Sequence, residues 1–296
     1  MIGVVIGTFL LGWLVSSIRP IPPVIIATAD KYVLRFALPA LILAKLSTVE
    51  LNGDLVLPIA IAWTLIVGAA AVIIVCGRIF SLDKNIVGAL LLVAVLGNTS
   101  FLGLEMVHSL LGTDHMPSAI AFDQLGTFLG LALWGSYVAS RYGAGESGWR
   151  PLARRLSRFV PFLAVLASIP LRAFTLPEGA YSLLNDIGRT VAPVAMGALG
   201  LRFTVRVSRR VAGPAVLGLI LKMMLMPGVV YAVATIAGST HDLAWSASIM
   251  QAAAPPMVTA GVVAVGAGLS EELVAFMVGI GTLIAFVSIP LLSTVL

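Results

Sequence analysis

Residues 86–111 read IVGALLLVAVLGNTSFLGLEMVHSLL. This run is long enough to cross a lipid bilayer as a helix, because about 20 apolar residues span the hydrocarbon core. Its middle holds the polar patch Gly97-Asn98-Thr99-Ser100, followed by Gly103. Polar groups at that depth need partners in the protein or in a water-filled cavity, since lipid offers none. The stretch therefore predicts a membrane helix that is interrupted halfway along its length.

The whole chain has the composition of an α-helical membrane protein. Hydrophobic residues make up 59% of its 296 residues and charged residues only 10%, whereas about a quarter of a soluble domain is charged. The mean hydropathy is +1.08. The apolar runs lack the alternation of barrel strands, so helices are expected. Ten predicted transmembrane segments, numbered one to ten, lie near residues 2–18, 32–49, 55–77, 86–111, 117–140, 159–174, 181–201, 212–237, 243–267 and 272–295.

The basic residues are distributed unevenly between the connections. Most of the 18 Lys and Arg residues lie in the connections after segments one, three, five and seven. By the positive-inside rule these connections face the cytoplasm, and both termini lie outside it. The net charge of +5 is explained by this topology, so no nucleic-acid partner is expected.

The two halves of the chain carry matching signals. Five segments precede the Arg- and Gly-rich linker at 141–158, so residues 159–296 must insert upside down relative to residues 1–140. Segment two places Arg35 four residues before Pro39, and segment seven places Arg189 four residues before Pro193. Segments four and nine each contain a polar, helix-breaking patch. These features predict a 5+5 inverted repeat with broken crossover helices, an arrangement of many secondary transporters.

The two patches supply the candidate substrate-binding residues. Adjacent prolines leave carbonyls of segment nine without helical partners, and an amide side chain in segment four can bond a carboxylate. Helix N-termini at a break favour anions. Two alternatives remain: helix–helix contacts for the polar side chains and a packed kink for the prolines. The predicted substrate-binding residues are Asn98, Thr99, Ser100, Gln251, Pro255, Pro256 and Thr259.

Ionisable residues inside membrane segments are costly and mostly functional. The candidates for coupling solute movement to H⁺ or Na⁺ are Asp123, Glu105 and Gln124. The alternative for the two acids is a buried ion pair with a cation of another segment. The candidates for structural charge pairs are Asp186, Arg189, Arg35 and Lys222. Of these, Asp186 and Arg189 are three residues apart and are predicted to pair along one helix.

Catalytic patterns are absent from the sequence. It contains no glycine-rich phosphate loop with a Lys, no HExxH or GxSxG motif and no Cys–His cluster, the patterns that point to nucleotide hydrolysis, metalloproteases or serine hydrolases. The single Cys76 cannot form an internal disulfide. We therefore expect no enzyme activity, no cofactor and no metal site.

Three stretches resemble signatures of the auxin efflux carrier family, which includes bacterial members and the plant PIN proteins. They are GNTSFLGL at 97–104, APPMVTA at 254–260 and FALPAL at 36–41. The resemblance implies a ten-helix inverted-repeat fold, related to the bile acid–sodium symporters, in which segments four and nine cross in mid-membrane. It also implies transport of small organic anions, a homodimer and, for a bacterial member, location in the inner membrane.

The resemblance also implies roles for individual residues. Asn98 and Pro255 match the positions that line the substrate site in such proteins, and Asp123 falls where bacterial relatives often carry an acid. Two positions depart from the family pattern. Phe101 stands where PIN proteins have a proline, and Glu105 stands where bacterial relatives often have one. The break in segment four must then depend on its glycines and polar patch.

Together these features predict a secondary transporter for small organic anions such as carboxylates. In alternating access, a bundle of segments one, two, six and seven would move against a crossover bundle of segments three to five and eight to ten. The expected partners are the solute and the lipid bilayer. The alternative is a membrane-embedded ligand sensor without transport, for which only 141–158 could provide an output surface. The sequence leaves open the solute (malonate, malate or an aromatic acid), the direction of transport and the coupling ion.

Overall fold

The computed structural model describes residues 2–46, 55–143, 157, 160–171, 177–203 and 207–296. Within these ranges, helices occupy all ten predicted segments, and the β-structure consists of one isolated bridge. Four helical segments are long and apolar enough to cross a membrane, namely Val56–Ile79, Thr113–Tyr142, Arg209–Ile236 and Glu271–Ser293. The fold is therefore all-α, as the composition predicts.

The other helices are shorter or interrupted. They run over Ile2–Ile18, Pro23–Tyr32, Leu38–Leu46, Lys84–Val93, Leu104–Leu110, Val160–Leu171, Glu178–Arg189, Val191–Arg202, Leu243–Ala252 and Val258–Gly266. The α-helical parts of segments five and eight are Met116–Ala121, Ser136–Tyr142, Arg209–Ile220 and Met226–Ile236. A short 3-10 turn covers Thr113–His115, and π-helical turns cover Val33–Ala37, Thr99–Gly103, Phe122–Phe128, Leu131–Gly135 and Leu221–Leu225.

The start of segment two differs from the prediction. Its helix begins at Pro23 instead of near residue 32. Proline is favoured at the first helical position because the N–H of that residue would have no helical partner, and because the ring fixes φ near the helical value. Lys31, which the predicted bounds 2–18 and 32–49 leave in the connection between segments one and two, consequently lies inside the helix. The end of this segment at 47–49 and most of the linker at 141–158 lie outside the described residues.

Contacts among the described residues divide the segments into two groups. Segments one, two, six and seven pack on one another, and the remaining six segments form the second group. Segment one lies tightly against segment seven: a Cβ added to Gly12 would lie 2.4 Å from the Gly197 carbonyl oxygen, and one on Gly200 would lie 2.1 Å from that of Phe9. Small residues permit this close approach of two membrane helices.

Segments four and nine are both interrupted, as predicted. Segment four leaves its first helix after Val93 and becomes π-helical at Thr99. Segment nine leaves its first helix after Ala252 and resumes at Val258. The break in segment four precedes both Phe101 and Glu105, so the prolines that the family places there are not needed to interrupt the helix.

Candidate functional site

The two interrupted stretches pair with each other through their main chains. Gly97 and Pro256 form an isolated antiparallel bridge. The N–H of Asn98 donates to the Pro255 carbonyl over 2.7 Å, and the N–H of Met257 donates to the carbonyl of Leu96 over 3.0 Å. Each stretch thereby satisfies backbone groups that the other has released from helical bonding, at a depth where lipid could not do so. We refer to residues 94–98 and 253–257 as the crossover.

Glycines let other parts of the second group of segments pack closely at and near the crossover. A Cβ on Gly281 would lie 2.5 Å from Cδ of Pro256, so segment ten can approach the proline only where a side chain is missing. A Cβ on Gly103 would lie 2.0 Å from Oε1 of Gln251. Gly103 thus serves close packing and does not form part of the helix break.

Gln251 holds segment nine against segment five. Its Nε2 donates to the Ala119 carbonyl over 3.0 Å, and its side chain is fully buried. Its Oε1 has no hydrogen-bond partner among the described residues. Gln251 does not line the cavity described below, and its role in substrate binding stays a prediction.

Asp123 joins the second half of segment four to segment five. Its Oδ1 accepts hydrogen bonds from the hydroxyls of Thr99 and Ser100, each over 2.6 Å. The Thr99 hydroxyl also lies 2.5 Å from that of Thr127. Asp123 is buried within a π-helical turn, a departure from α-helix that is frequent at functional sites. The indole of Trp63 donates to the carbonyl of Leu125 in this turn over 3.0 Å.

Lys222 contacts the crossover from segment eight. Its Nζ donates to the Ala252 carbonyl over 2.6 Å, at the C-terminal end of the first helix of segment nine. A cation at this end is favoured, because the helix dipole places negative charge there. A Cβ added to Gly97 would lie 3.1 Å from both Cε and Nζ of Lys222. The partner of this predicted charge-pair residue is thus a backbone carbonyl, whereas the sequence suggested an acidic side chain.

A cavity of about 370 Å³ lies between the two groups of segments, beside Asp123. It is bounded by segments two, four, five and seven, in the half of the fold nearer the chain termini. Its polar lining residues are Ser100, Glu105, Asp123, Gln124, Asn185 and Arg189. Apolar side chains, among them Leu41 and Phe128, complete the wall. The cavity therefore brings together the three predicted coupling residues and one predicted substrate residue.

Arg189 supplies the positive charge of this lining. Its Nη1 lies 3.9 Å from Oδ1 of Asp186, at the outer limit of an ion pair, and both side chains are about two-thirds exposed. Such an exposed pair contributes little stability. The structure thus gives Arg189 a place at the cavity in addition to its predicted structural pair. Asn185, one turn earlier on the same helix, was not singled out from the sequence.

Several buried polar atoms at the cavity or within two residues of the crossover have no hydrogen-bond partner among the described residues. They include Asn98 Nδ2, Gln124 Oε1, Gln251 Oε1 and Thr259 Oγ1. Asn98 and Thr259 are almost completely buried and do not line the cavity, although Asn98 is only two residues from Ser100, which does. A buried donor or acceptor left unsatisfied is costly and can be satisfied by a bound solute or water.

At the opposite side of the fold, where the basic connections lie, the buried side chain of Arg202 forms an ion cluster with buried Asp30 and exposed Glu271. Its guanidinium makes two hydrogen bonds to the Asp30 carboxylate, one of them over 3.1 Å. Its Nε lies 2.6 Å from Oε1 of Glu271. The sequence indicated Arg202 only as a topology signal, since nothing local distinguishes it from neighbouring arginines.

Comparison with known proteins assigns this helical architecture to a family. The family described as "Membrane transport protein" matches residues 3–146 and 156–293. The chain belongs to this family. It is therefore an integral membrane transport protein. The match also confirms the resemblance to auxin efflux carriers that the three sequence motifs indicated.

Two archaeal relatives agree with this assignment. The transporter is 27% identical over 294 residues to an uncharacterised transporter of Methanothermobacter thermautotrophicus, across 97% of this chain and 94% of the relative. It is 32% identical over 129 residues to an uncharacterised transporter of Methanocaldococcus jannaschii, across 42% of this chain and 41% of that relative. The family and both names point to a transporter instead of an enzyme.

Proposed function

We propose that the transporter carries small carboxylate-bearing solutes by alternating access, and that the 370 Å³ cavity holds the solute in this conformation. The observation that carries the proposal is the placement of this cavity between the two groups of segments, with the crossover and its unsatisfied polar atoms alongside. The volume lies within the usual range of small-molecule sites, about 300–1,000 Å³.

A carboxylate would find two kinds of partner in this region. The Arg189 guanidinium presents a rigid fork that matches carboxylate geometry. The turn Thr99–Gly103 begins the second helix of segment four, where N–H groups and the positive end of the helix dipole favour an anion. Asn98 Nδ2, next to this turn, does not line the cavity in this conformation, but it is an unpaired donor for a solute that reaches the crossover.

Glu105 and Asp123 add negative charge to the same cavity. With both carboxylates ionised, they would oppose a bare anion that Arg189 attracts. We propose that an accompanying cation, H⁺ or Na⁺, offsets this charge and couples the flux to an ion gradient. Asp123 is the better placed of the two acids, because its hydrogen bonds to Thr99 and Ser100 link its charge state to the position of segment four.

Movement of segments one, two, six and seven against the crossover group would expose the solute to either side. We further propose the 5+5 inverted repeat, ten spans with both termini outside the cytoplasm, and a homodimer in the inner membrane. The charge bias of the connections and the family membership support these features.

The test is flux through purified transporter in proteoliposomes. Labelled malonate, malate and indole-acetate are offered separately, with and without a Na⁺ or pH gradient. We expect uptake of at least one acid above protein-free vesicles. We also expect a large decrease for Asn98→Ala and Pro255→Ala but no decrease for Asn85→Ala, which lies outside the site. Absence of flux for every acid under every gradient would refute the proposed function.

A further inference from the structure

A second cavity, of about 460 Å³, lies on the basic side of the fold between the same two groups of segments. Its charged lining residues are Asp30, Lys31, Arg35, Arg202 and Glu271. Segments two and seven contribute to it from the first group, and segments nine and ten from the second.

The two cavities are bounded by segments that correspond when the halves of the chain are exchanged. The first uses segments two, four, five and seven, and the second uses segments seven, nine, ten and two. The sequence matches Arg35 with Arg189, since each precedes a proline by four residues. The matched arginines line different cavities: Arg189 lines the first and Arg35 the second.

The charges of the second cavity are not mutually cancelled. Asp30 and Glu271 are both engaged by Arg202. Lys31 and Arg35 are exposed, lie four residues apart on one helical face and form no ion pair with a described residue. Arg202 offsets only one of the two acids, and Lys31 and Arg35 together outweigh the other. The lining thus carries three cations against two acids, and this net positive charge favours an anionic occupant.

The ion pair between Arg202 and Glu271 crosses the boundary between the two groups of segments. Glu271 is more than half exposed, whereas Arg202 is buried and held by Asp30. Separation of the groups on the basic side would therefore break the ion pair with Glu271 and keep the hydrogen bonds to Asp30. The second cavity would widen at the same time, because both of its walls belong to the separating groups.

We propose that the second cavity is a carboxylate-binding site on the basic side of the membrane, in which Arg35 has the role that Arg189 has on the other side. This inference rests on the proposed function and extends it. The solute would leave Arg189 on one side and meet Arg35 on the other, so that each open state offers a guanidinium to its carboxylate.

The test is protection of a cysteine in the second cavity. Ala27 lines it and is exposed, so Ala27→Cys is introduced in a Cys76→Ser background. A membrane-impermeant sulfonate-bearing methanethiosulfonate is applied to sealed vesicles of either orientation. We expect modification from the basic side only. Malonate, malate or indole-acetate should slow it in a concentration-dependent way.

The decisive variant is Arg35→Gln. We expect it to require about tenfold more acid for the same protection, as loss of a charge-assisted hydrogen bond predicts. Arg35→Lys should retain part of the protection, and it substitutes for Arg35→Gln if that protein fails to fold. Arg19→Gln is the control, because Arg19 is an exposed cation of the same side that does not line the cavity.

Three results would overturn the inference: no protection by any of the acids, equal protection in Arg35→Gln, or modification from the opposite side alone. The flux assay separates these failures from failure of the proposed function. Flux without protection would support the proposed carrier function and refute this second site. Protection without flux would support the site and refute the carrier function.

Discussion

The main-chain N–H of Asn98 donates to the carbonyl oxygen of Pro255 over 2.7 Å, and this bond joins the first half of the chain to the second in the middle of both interrupted segments. Pro255 and Pro256 have no N–H to donate, so at this point segment nine supplies the carbonyl and segment four supplies the N–H. In the crossover, the main chains of the two segments therefore pair as two short strands would.

Replacement of Asp123 by Asn should uncouple transport from the ion gradient. Asn keeps an oxygen that can accept from Thr99 or Ser100, but hydrogen bonds to a neutral acceptor are worth about 1 kcal/mol, against about 1.5–3 kcal/mol for a charged one. We expect a lower rate of carboxylate uptake and a flatter dependence on pH or Na⁺. Asp114→Asn, in an exposed connection, is the control. Wild-type uptake with an unchanged ion dependence would exclude Asp123 from coupling.

Replacement of Arg189 by Gln should weaken solute binding from the side of the chain termini. The variant removes the cation of the first cavity and leaves Glu105 and Asp123 in place. We expect the KM for a transported acid to rise about tenfold or more, the effect of losing roughly 1.4 kcal/mol of binding. The KM of Arg189→Lys should lie between those of the wild type and Arg189→Gln, since Lys keeps the positive charge but lacks the planar guanidinium that bonds both carboxylate oxygens. Arg209→Gln, an exposed arginine outside both cavities, should leave KM unchanged, and an equal rise there would point to a general surface-charge effect.

Lys222 is expected to stabilise the crossover through its bond to the Ala252 carbonyl. Lys222→Met leaves that buried carbonyl unsatisfied, at a cost of about 1–3 kcal/mol, whereas Lys222→Gln keeps a donor. The melting temperature of the detergent-solubilised protein should therefore be lower for the Met variant than for the Gln variant. Lys84→Met, at an exposed helix start, should change it little. A Met variant as stable as Gln would mean that another group satisfies the carbonyl.

Gly103 and Gln251 should show strong energetic coupling. Gly103→Ala places a methyl group 2.0 Å from Oε1 of Gln251, and such overpacking costs about 1–3 kcal/mol. In Gln251→Ala the same methyl group has room, so the glycine replacement should cost less in that background. A double-mutant cycle of melting temperatures measures the difference.

Gly68→Ala is the matched control for this cycle, because no neighbouring atom lies within 4 Å of the place that its new methyl group would occupy. It should be neutral or stabilising, since Ala has the higher helix propensity by about 1 kcal/mol. Additive effects of the two replacements at Gly103 and Gln251 would show that their contact carries no coupling energy.

Much of the fold could be predicted from the sequence, because the bilayer imposes rules that are local in the chain. Length and apolar content located the helical segments. The polar patch at Gly97–Ser100 and the prolines at 255 and 256 located the two breaks, since such residues disturb a helix wherever the chain carries them. The start of segment two was missed, because its first residues, from Pro23, include polar ones that lower its hydropathy.

The site could be predicted only in part from the sequence, because the residues that contact one another there are far apart in the chain. Sequence alone singled out Asp123, Glu105 and Arg189 as costly charges, but it could not tell which would share a cavity. Tertiary structure decided that Gln251 packs against Gly103, that Lys222 binds a carbonyl, and that Arg202 joins Asp30 to Glu271. A residue's hydrophobicity and helix propensity are its own, whereas a hydrogen bond or ion pair depends on the atoms that folding brings within about 3 Å.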